Sequence, residues 1–183
     1  MSQVDDIPRH AVPSTFGDSA SAMASVRSHS VEIMTAFSAF PAAVGALCAV
    51  VDGEPRGLAA TSLAVGVSYA PPMVSFSVRN ESTTWPILSR ADRIGISVLT
   101  EDQGPVCRKL AGQDGDRFAG LDTTVTPGGA LFVNDASTWM ECAIAGTAPA
   151  GDHTIVTFEV LSVGHERAAS PLIFRNNGFL RLR

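Results

Sequence analysis

The feature that most limits the fold of this chain is a succession of short apolar, β-branched runs, each closed by Gly, Pro, Asp or Asn. Val44 to Val51 is a continuous apolar run that stops at Asp52-Gly53-Glu54-Pro55, a turn-forming sequence, so a second strand is expected from about Arg56. Further strand-like runs occupy Met73 to Val78, Ile94 to Leu99, Thr138 to Ala145, Thr154 to Val163 and Phe179 to Leu182. Helical patterning is scarce. A short helix is expected over Ser28 to Phe40, ending before Pro41, and two more over Thr83 to Arg90 and Asp102 to Leu110, each starting near its proline. Many short strands with few long helices predict a closed or nearly closed β-barrel rather than a parallel sheet.

At 183 residues the chain suits one domain, and with 45% hydrophobic and 17% charged residues it has ample material for one core. The stretch 1–27 is rich in Ser, Ala, Pro and Asp and reads as a tail, leaving 28–183 as the folded domain. The tail lacks the apolar segment of a signal peptide, and Gly, Pro or charge interrupts every run that approaches the roughly 20 apolar residues needed to cross a bilayer. The sequon Asn80-Glu81-Ser82 therefore has no weight. Cys48, Cys107 and Cys142 are odd in number and widely spaced, which fits reduced thiols in a cytoplasmic protein. A net charge of -5 with scattered cations offers nucleic acid no attractive field.

Motifs for common chemistries are missing. There is no G-x-G-x-x-G, no P-loop and no H-x-x-x-H pair among His10, His29, His153 and His165, so no metal site is expected. Gly66-Val67-Ser68-Tyr69-Ala70 resembles a truncated nucleophile elbow but lacks its second glycine and following helix. What remains is a set of hydroxyl-bearing residues, Thr61, Ser62, Ser68, Ser75, Ser77, Ser82, Thr83 and Thr84, with Arg79 among them. Such a set suits an anion, with Ser82-Thr83-Thr84 capping a helix whose N–H groups face a phosphate. The same residues also read as a plain helix cap and half-exposed strand positions. The loop from Gly112 to Asn134 is longer than most connections, and loops of that length are often functional.

Read in order, these segments resemble the flavin reductase family with the FMN-binding split-barrel fold, over roughly Thr35 to Arg183. The likeness is carried by Phe40-Pro41-Ala42-Ala43-Val44, Arg56-Gly57-Leu58-Ala59-Ala60-Thr61-Ser62-Leu63, Val67-Ser68, Pro71-Pro72-Met73-Val74 and Asn80-Glu81-Ser82-Thr83-Thr84. Downstream it continues through Ile96-Ser97-Val98-Leu99, Glu101-Asp102-Gln103, Asp116-Arg117-Phe118, Gly151-Asp152-His153, Pro171-Leu172-Ile173-Phe174 and Gly178-Phe179. The resemblance implies a mainly β fold, a Greek-key antiparallel barrel with a few short helices.

It further implies an NAD(P)H-dependent reductase that passes a hydride to FMN or FAD and supplies reduced flavin to a partner monooxygenase. Ala60, Thr61 and Ser62 would line the flavin ring and ribityl chain, and Ser77, Val78, Arg79, Ser82 and Thr83 would face the phosphate. Ser68 is counted with the cofactor-binding residues, Arg117 and Phe118 would close over the cofactor, and His153 would stand beside the nicotinamide. A homodimer is the family expectation. Ala59 and Ala60 stand where polar residues are common, and Phe179 where tyrosine is frequent. FMN and FAD, and NADH and NADPH, are left open. So are two alternatives on the same barrel: a flavin-binding module without turnover, and an oxidoreductase or oxygenase that retains its flavin.

Overall fold

The computed structural model describes residues 30–112 and 115–182. The expected tail at 1–27 lies outside the described residues. In chain order the elements are α1 (Ser30–Ser38), β1 (Ala42–Ala43), β2 (Gly45–Val51), β3 (Glu54–Ala60), β4 (Ala64–Tyr69), β5 (Pro72–Arg79), α2 (Trp85–Leu88), β6 (Ile94–Val98), α3 (Gly104–Ala111), β7 (Thr123–Val125), β8 (Leu131–Val133), β9 (Thr138–Ala150), β10 (His153–His165), β11 (Ile173–Arg175) and β12 (Gly178–Leu180). The compact unit that holds the sheets begins at Ser38.

The continuous apolar run of β2 has a tertiary explanation. Its residues alternate between two cores, so neither face needs polar side chains. Leu47, Ala49 and Val51 join Phe76, Ile94, Ile96, Val156 and Phe158, whereas Ala46 and Cys48 join Leu99, Leu110, Leu131, Val133 and Leu172. The turn Asp52-Gly53 has φ of 54° and 80°, the left-handed pair that a two-residue type I′ hairpin requires. β3 accordingly starts at Glu54, opposite Val51, two residues earlier than expected. Pro55 is tolerated because β3 is a sheet edge.

Seven strands form one antiparallel sheet in the order β3-β2-β6-β9-β10-β5-β4. Its two edges, β3 and β4, are consecutive in sequence and joined only by Thr61, Ser62 and Leu63. Four residue steps from Ala60 to Ala64 span at most about 14 Å, whereas the edges of a flat seven-stranded sheet stand about 29 Å apart. The short link therefore forces the sheet to curl into a barrel. No ladder joins β3 to β4 among the described residues, so the barrel stays split along that seam. Ser62 pins the seam: its Oγ donates to the Ser77 carbonyl at 2.8 Å and accepts from the Ser77 N–H at 3.2 Å.

Several elements differ from the sequence expectation. Thr83 to Arg90 holds only the single turn α2, and α3 begins at Gly104 rather than Asp102, with the Gln103 side chain accepting from Thr100 N–H and donating to the Asn134 carbonyl. β4 was not legible because it faces solvent on both sides of its pleat and is broken by Gly66 at φ 72°. The long loop is built around the β7–β8 hairpin, where Leu131 and Val133 are buried and the Val133 N–H donates to Ser97 Oγ at 3.0 Å. The hairpin lies so close over β6 that a Cβ on Gly95 would run into the Leu131 carbonyl.

Candidate active site

A cavity of about 810 Å³ lies at the seam. One wall is Leu58, Ala59 and Ala60 at the end of β3, with Thr61 and Ser62 of the link. The facing wall is Phe76 to Arg79 of β5, followed by Glu81 to Thr84. Leu110, Ala111, Gly112, Arg117 and His153 complete it. The structure thus brings together Ala60, Thr61, Ser62, Ser77, Val78, Arg79, Ser82, Thr83, Arg117 and His153 from five separate stretches of chain. It also adds Leu58, Ala59, Phe76, Glu81, Thr84 and the 110–112 stretch, which sequence reasoning did not select. Thr84 was in view as a hydroxyl; the contribution of α3 had no sequence signal.

Two candidates stand elsewhere. Ser68 is on β4, its Oγ accepting from the Ala70 N–H at 3.3 Å, and it is not among the residues lining this cavity. It pairs with Met73, at the other end of β5 from the Phe76 to Arg79 stretch that lines the cavity. Phe118 does not line the cavity either: it packs against the Val44–Leu99–Leu172 core and close over Gly57, and lines a neighbouring cavity instead. Val78 sends its side chain into the barrel core, where it is 7% exposed, while strand alternation turns Ser77 and Arg79 to the outer face.

A one-turn helix has little macrodipole, and Thr84 at its N-cap makes no side-chain cap bond. Ser82 does the capping, its Oγ accepting from the Trp85 N–H at 3.1 Å. Groups on this rim that can donate to an anion include the Thr83 and Thr84 hydroxyls and the guanidinium groups of Arg79 and Arg117. Arg117 is held in place by donating from Nη1 to Thr84 Oγ1 at 2.9 Å and to the Gly57 carbonyl at 3.4 Å. Asp116 folds this loop by accepting from the N–H groups of Phe118 and Ala119, and Lys109 of α3 donates to the Ala119 carbonyl. Trp85 anchors the 81–84 segment from below, its ring edge-on to Phe76 at 5.1 Å and to Phe158 at 6.4 Å.

His153 opens β10 directly across the ladder from Arg79. The hairpin before it has two central residues, and Gly151 at φ 64° supplies the left-handed one. Asp152 Oδ1 lies 2.7 Å from His153 Nδ1, and this hydrogen bond, with the imidazole's charge, holds the Asp152 carboxyl below its ordinary range. With Nδ1 engaged, Nε2 is the nitrogen left for a ligand. A smaller cavity of about 400 Å³ adjoins this end and shares Ser62, Phe76, Ser77 and His153 with the main one. At the far end a cavity of about 750 Å³ shares Thr83, Thr84 and Arg117.

The cysteines take no part in this arrangement. Burial pushes Cys48 up to about 12, and burial with the Glu141 charge does the same to Cys142. Burial raises Cys107 as well, against a lowering influence from Arg108. Among the described residues no helix is long and apolar enough to cross a membrane, and no three His, Cys, Asp or Glu side chains cluster as metal ligands.

An antiparallel barrel split along one seam, with a cleft lined by hydroxyls and two arginines, defines the flavin-binding split-barrel class. The chain belongs to the flavin reductase family: residues 37–183 match the flavin reductase like domain. It is 34% identical over 137 residues to a flavin reductase of Pseudomonas putida, covering 73% of this chain and 80% of that one. It is 30% identical over 140 residues to the reductase subunit HsaB of a flavin-dependent monooxygenase from Rhodococcus jostii RHA1, covering 76% and 71% of the two chains. The solved structure of the NADH:FAD oxidoreductase SgcE6 of Streptomyces globisporus C-1027, in complex with NAD and FAD fragments, superposes with a TM-score of 0.80 at 28% identity, over 88% of this chain and 96% of that one.

Proposed function

We propose that this protein is the reductase component of a two-component system, oxidising NADH or NADPH, reducing FMN or FAD, and supplying reduced flavin to a partner monooxygenase. The observation that carries it is one continuous cleft in which the Thr83, Thr84 and Arg117 donors, the link residues Thr61 and Ser62, and the Arg79–His153 pair line the same space. Membership of the flavin reductase family supports the reaction, and the likeness to a monooxygenase reductase subunit supports the partner.

The residues fit such a ligand. The end of β3, where the small side chains of Ala59 and Ala60 leave the backbone open to the cleft, lets a planar ring approach closely. Thr61, Ser62 and Ser77 provide hydroxyls along the cleft, and Arg79, Thr83, Thr84 and Arg117 hold a phosphate by charge-assisted hydrogen bonds. Bound here, the flavin supplies the hydride acceptor and the nicotinamide the donor, so the protein's task is placement. Asp152 orients the His153 ring by its bond to Nδ1, and His153 presents Nε2 to the nicotinamide amide. Thr61, Ser62, Arg79, Glu81 and Thr83 are all exposed, so the ligand is held at the surface, which suits a flavin that is released.

The test is nicotinamide oxidation with FMN and FAD against NADH and NADPH in all four pairings. Multiple turnovers in any pairing support the reading, and none in all four leaves a flavin-binding module. Flavin that stays with the protein through gel filtration favours a flavin-retaining oxidoreductase instead. A homodimer is part of the proposal: Val65, Val67 and Tyr69 are 66%, 50% and 87% exposed along the β4 edge, an apolar stripe that a second copy would cover. Light scattering reads the mass. A cytoplasmic setting, where thiols stay reduced, accords with free Cys48, Cys107 and Cys142.

A further inference from the structure

From Phe76 to Thr84 every residue lines the main cleft except Asn80. Asn80 is turned instead to the hairpin that carries His153, and three hydrogen bonds hold it there. Its N–H donates to the Asp152 carbonyl at 3.0 Å, its Nδ2 donates to the Gly151 carbonyl at 3.3 Å, and its Oδ1 accepts from the Thr154 hydroxyl at 2.9 Å. We propose that Asn80 is a positioning residue: it clamps the Gly151-Asp152 turn to the end of β5 and so fixes the Asp152–His153 pair against the rim that holds the flavin's phosphate. This inference rests on the flavin and nicotinamide reading of the cleft given above.

The pair needs such a clamp because the ladder does not reach it. Pairing of β5 with β10 ends at Arg79 and His153, so Gly151 and Asp152 lie beyond its last rung. Gly151, at φ 64°, has the freest backbone of the hairpin, and the Asp152 side chain is 92% exposed. A carboxylate at an exposed hairpin tip orients an imidazole only if its own backbone is held. Asn80 holds that backbone on both sides of His153. Its main chain adds one bond past the ladder, at Asp152, and its side chain ties Gly151 before the pair and Thr154 after it.

An amide is what this place requires, since it donates to a carbonyl and accepts from a hydroxyl at once; a carboxylate would meet the Gly151 carbonyl with a second acceptor. Asn80 also stands in the chain between Arg79 and the 82–84 segment, both assigned above to the phosphate. The residues that hold the flavin and the histidine that meets the nicotinamide are therefore joined through one side chain. The Asn80-Glu81-Ser82 sequence, without weight as a glycosylation signal, has its reason here.

The experiment uses the full chain with Asn80→Ala, Thr154→Val and Thr154→Ser, the last of which keeps the donating hydroxyl. Thr154 lines neither the main cleft nor the smaller cavity beside His153, so Thr154→Val loosens the clamp from the side away from the ligand. Asn80→Ala is expected to lower kcat/KM for the nicotinamide about tenfold and Thr154→Val about threefold, with Thr154→Ser close to the parent. Flavin Kd is expected to stay within about twofold of the parent in all three. Combined with His153→Ala, Asn80→Ala is expected to cause no further loss, because it acts through that ring. A second readout needs no flavin. The Asp152 carboxyl, held low chiefly by its bond to His153 and also by the Arg79 charge, is expected to titrate nearer its ordinary value in Asn80→Ala when followed by carbon NMR. A full further loss on top of His153→Ala, or a flavin Kd that rises as much as kcat/KM falls, overturns the proposal in favour of a general structural role. An unchanged kcat/KM in both Asn80→Ala and Thr154→Val overturns it as well. If the parent oxidises no dinucleotide with either flavin, the reductase reading fails, and the Asp152 titration alone decides whether Asn80 holds the pair.

Discussion

Gly57→Ala probes how the barrel holds the Arg117 loop. Gly57 is buried and faces Cys48 across the β2–β3 ladder. A Cβ there would stand 2.5 Å from Cys48 Sγ, 2.9 Å from Phe118 Cζ and 3.1 Å from the Leu47 carbonyl oxygen. The Leu47 carbonyl sits on a central strand, and Cys48 is fully buried, so neither can retreat cheaply. Phe118, half-buried in a loop, is the neighbour that yields. Inserting one methyl group into such a space costs about 1–3 kcal/mol, and for a domain of this size that is a fall of about 2–12 °C in Tm.

The functional effect follows from the same displacement. Arg117 precedes Phe118 and donates to the Gly57 carbonyl itself, so moving the ring draws the guanidinium away from Thr84. A hydrogen bond to a charged group is worth about 1.5–3 kcal/mol, so its partial loss raises the flavin Kd up to about tenfold. Scanning calorimetry and fluorescence titration read the two effects. Adding Cys48→Ala removes the closest contact and is expected to recover part of the Tm, a non-additivity that a merely weakened strand would not show. If Gly57→Ala melts within about 1 °C of the parent and binds flavin equally well, the packing of Phe118 on β3 is not as described.

His153→Ala is expected to lower kcat/KM for the nicotinamide about 10- to 100-fold with flavin Kd unchanged, and Asp152→Asn to give a smaller loss of the same kind. Steady-state kinetics beside flavin titration checks both, and an unchanged kcat/KM in His153→Ala removes the assigned role. The Asp152 carboxyl is held below its ordinary value, so its contact with His153 persists at and above that value and is lost as the pH falls through the lowered one; the His153 imidazole NMR signals should shift on acidification below about pH 4. Trp85→Ala should cost about 3 kcal/mol by emptying the space beside Phe76 and Phe158, and weaken flavin binding by loosening Thr83 and Thr84; chemical denaturation and titration report the two. Cys48 and Cys142 should resist a disulfide reagent at pH 8 until the protein unfolds. Because folding raises both thiols to about 12, the unfolded chain releases protons first, and stability should decline as the pH rises above about 9, by up to about 1.4 kcal/mol per pH unit for each thiol.

The sequence by itself determined what local physics controls. β2, β5, β6, β9 and β10 are legible because their apolar, β-branched runs are bounded by turn residues, and Asp52-Gly53 because both positions need φ above zero. The negative findings, no dinucleotide fingerprint and no P-loop, were equally local, since those motifs are contiguous. The ordered series of motifs then named the family and most of the cleft. β4 and α2 were misjudged where tertiary context overrides pattern: one is a solvent-facing edge broken by a bulge, the other a single turn, capped by Ser82 and anchored by the Trp85 ring against Phe76 and Phe158.

Only the tertiary structure decided which ends of chain meet. Arg117 bonds to Thr84 and Gly57, 33 and 60 residues away, His153 faces Arg79 across a ladder, and α3 closes one side of the cleft. Ser68 and Phe118 carried the right motif and yet lie off the main cavity, because Ser68 pairs with Met73 at the far end of β5 and Phe118 packs over Gly57. The reason is the seam itself. A three-residue link forces seven strands to close and leaves them unpaired there, and the site lies where that closure falls short, a property of the whole sheet that no stretch of sequence contains.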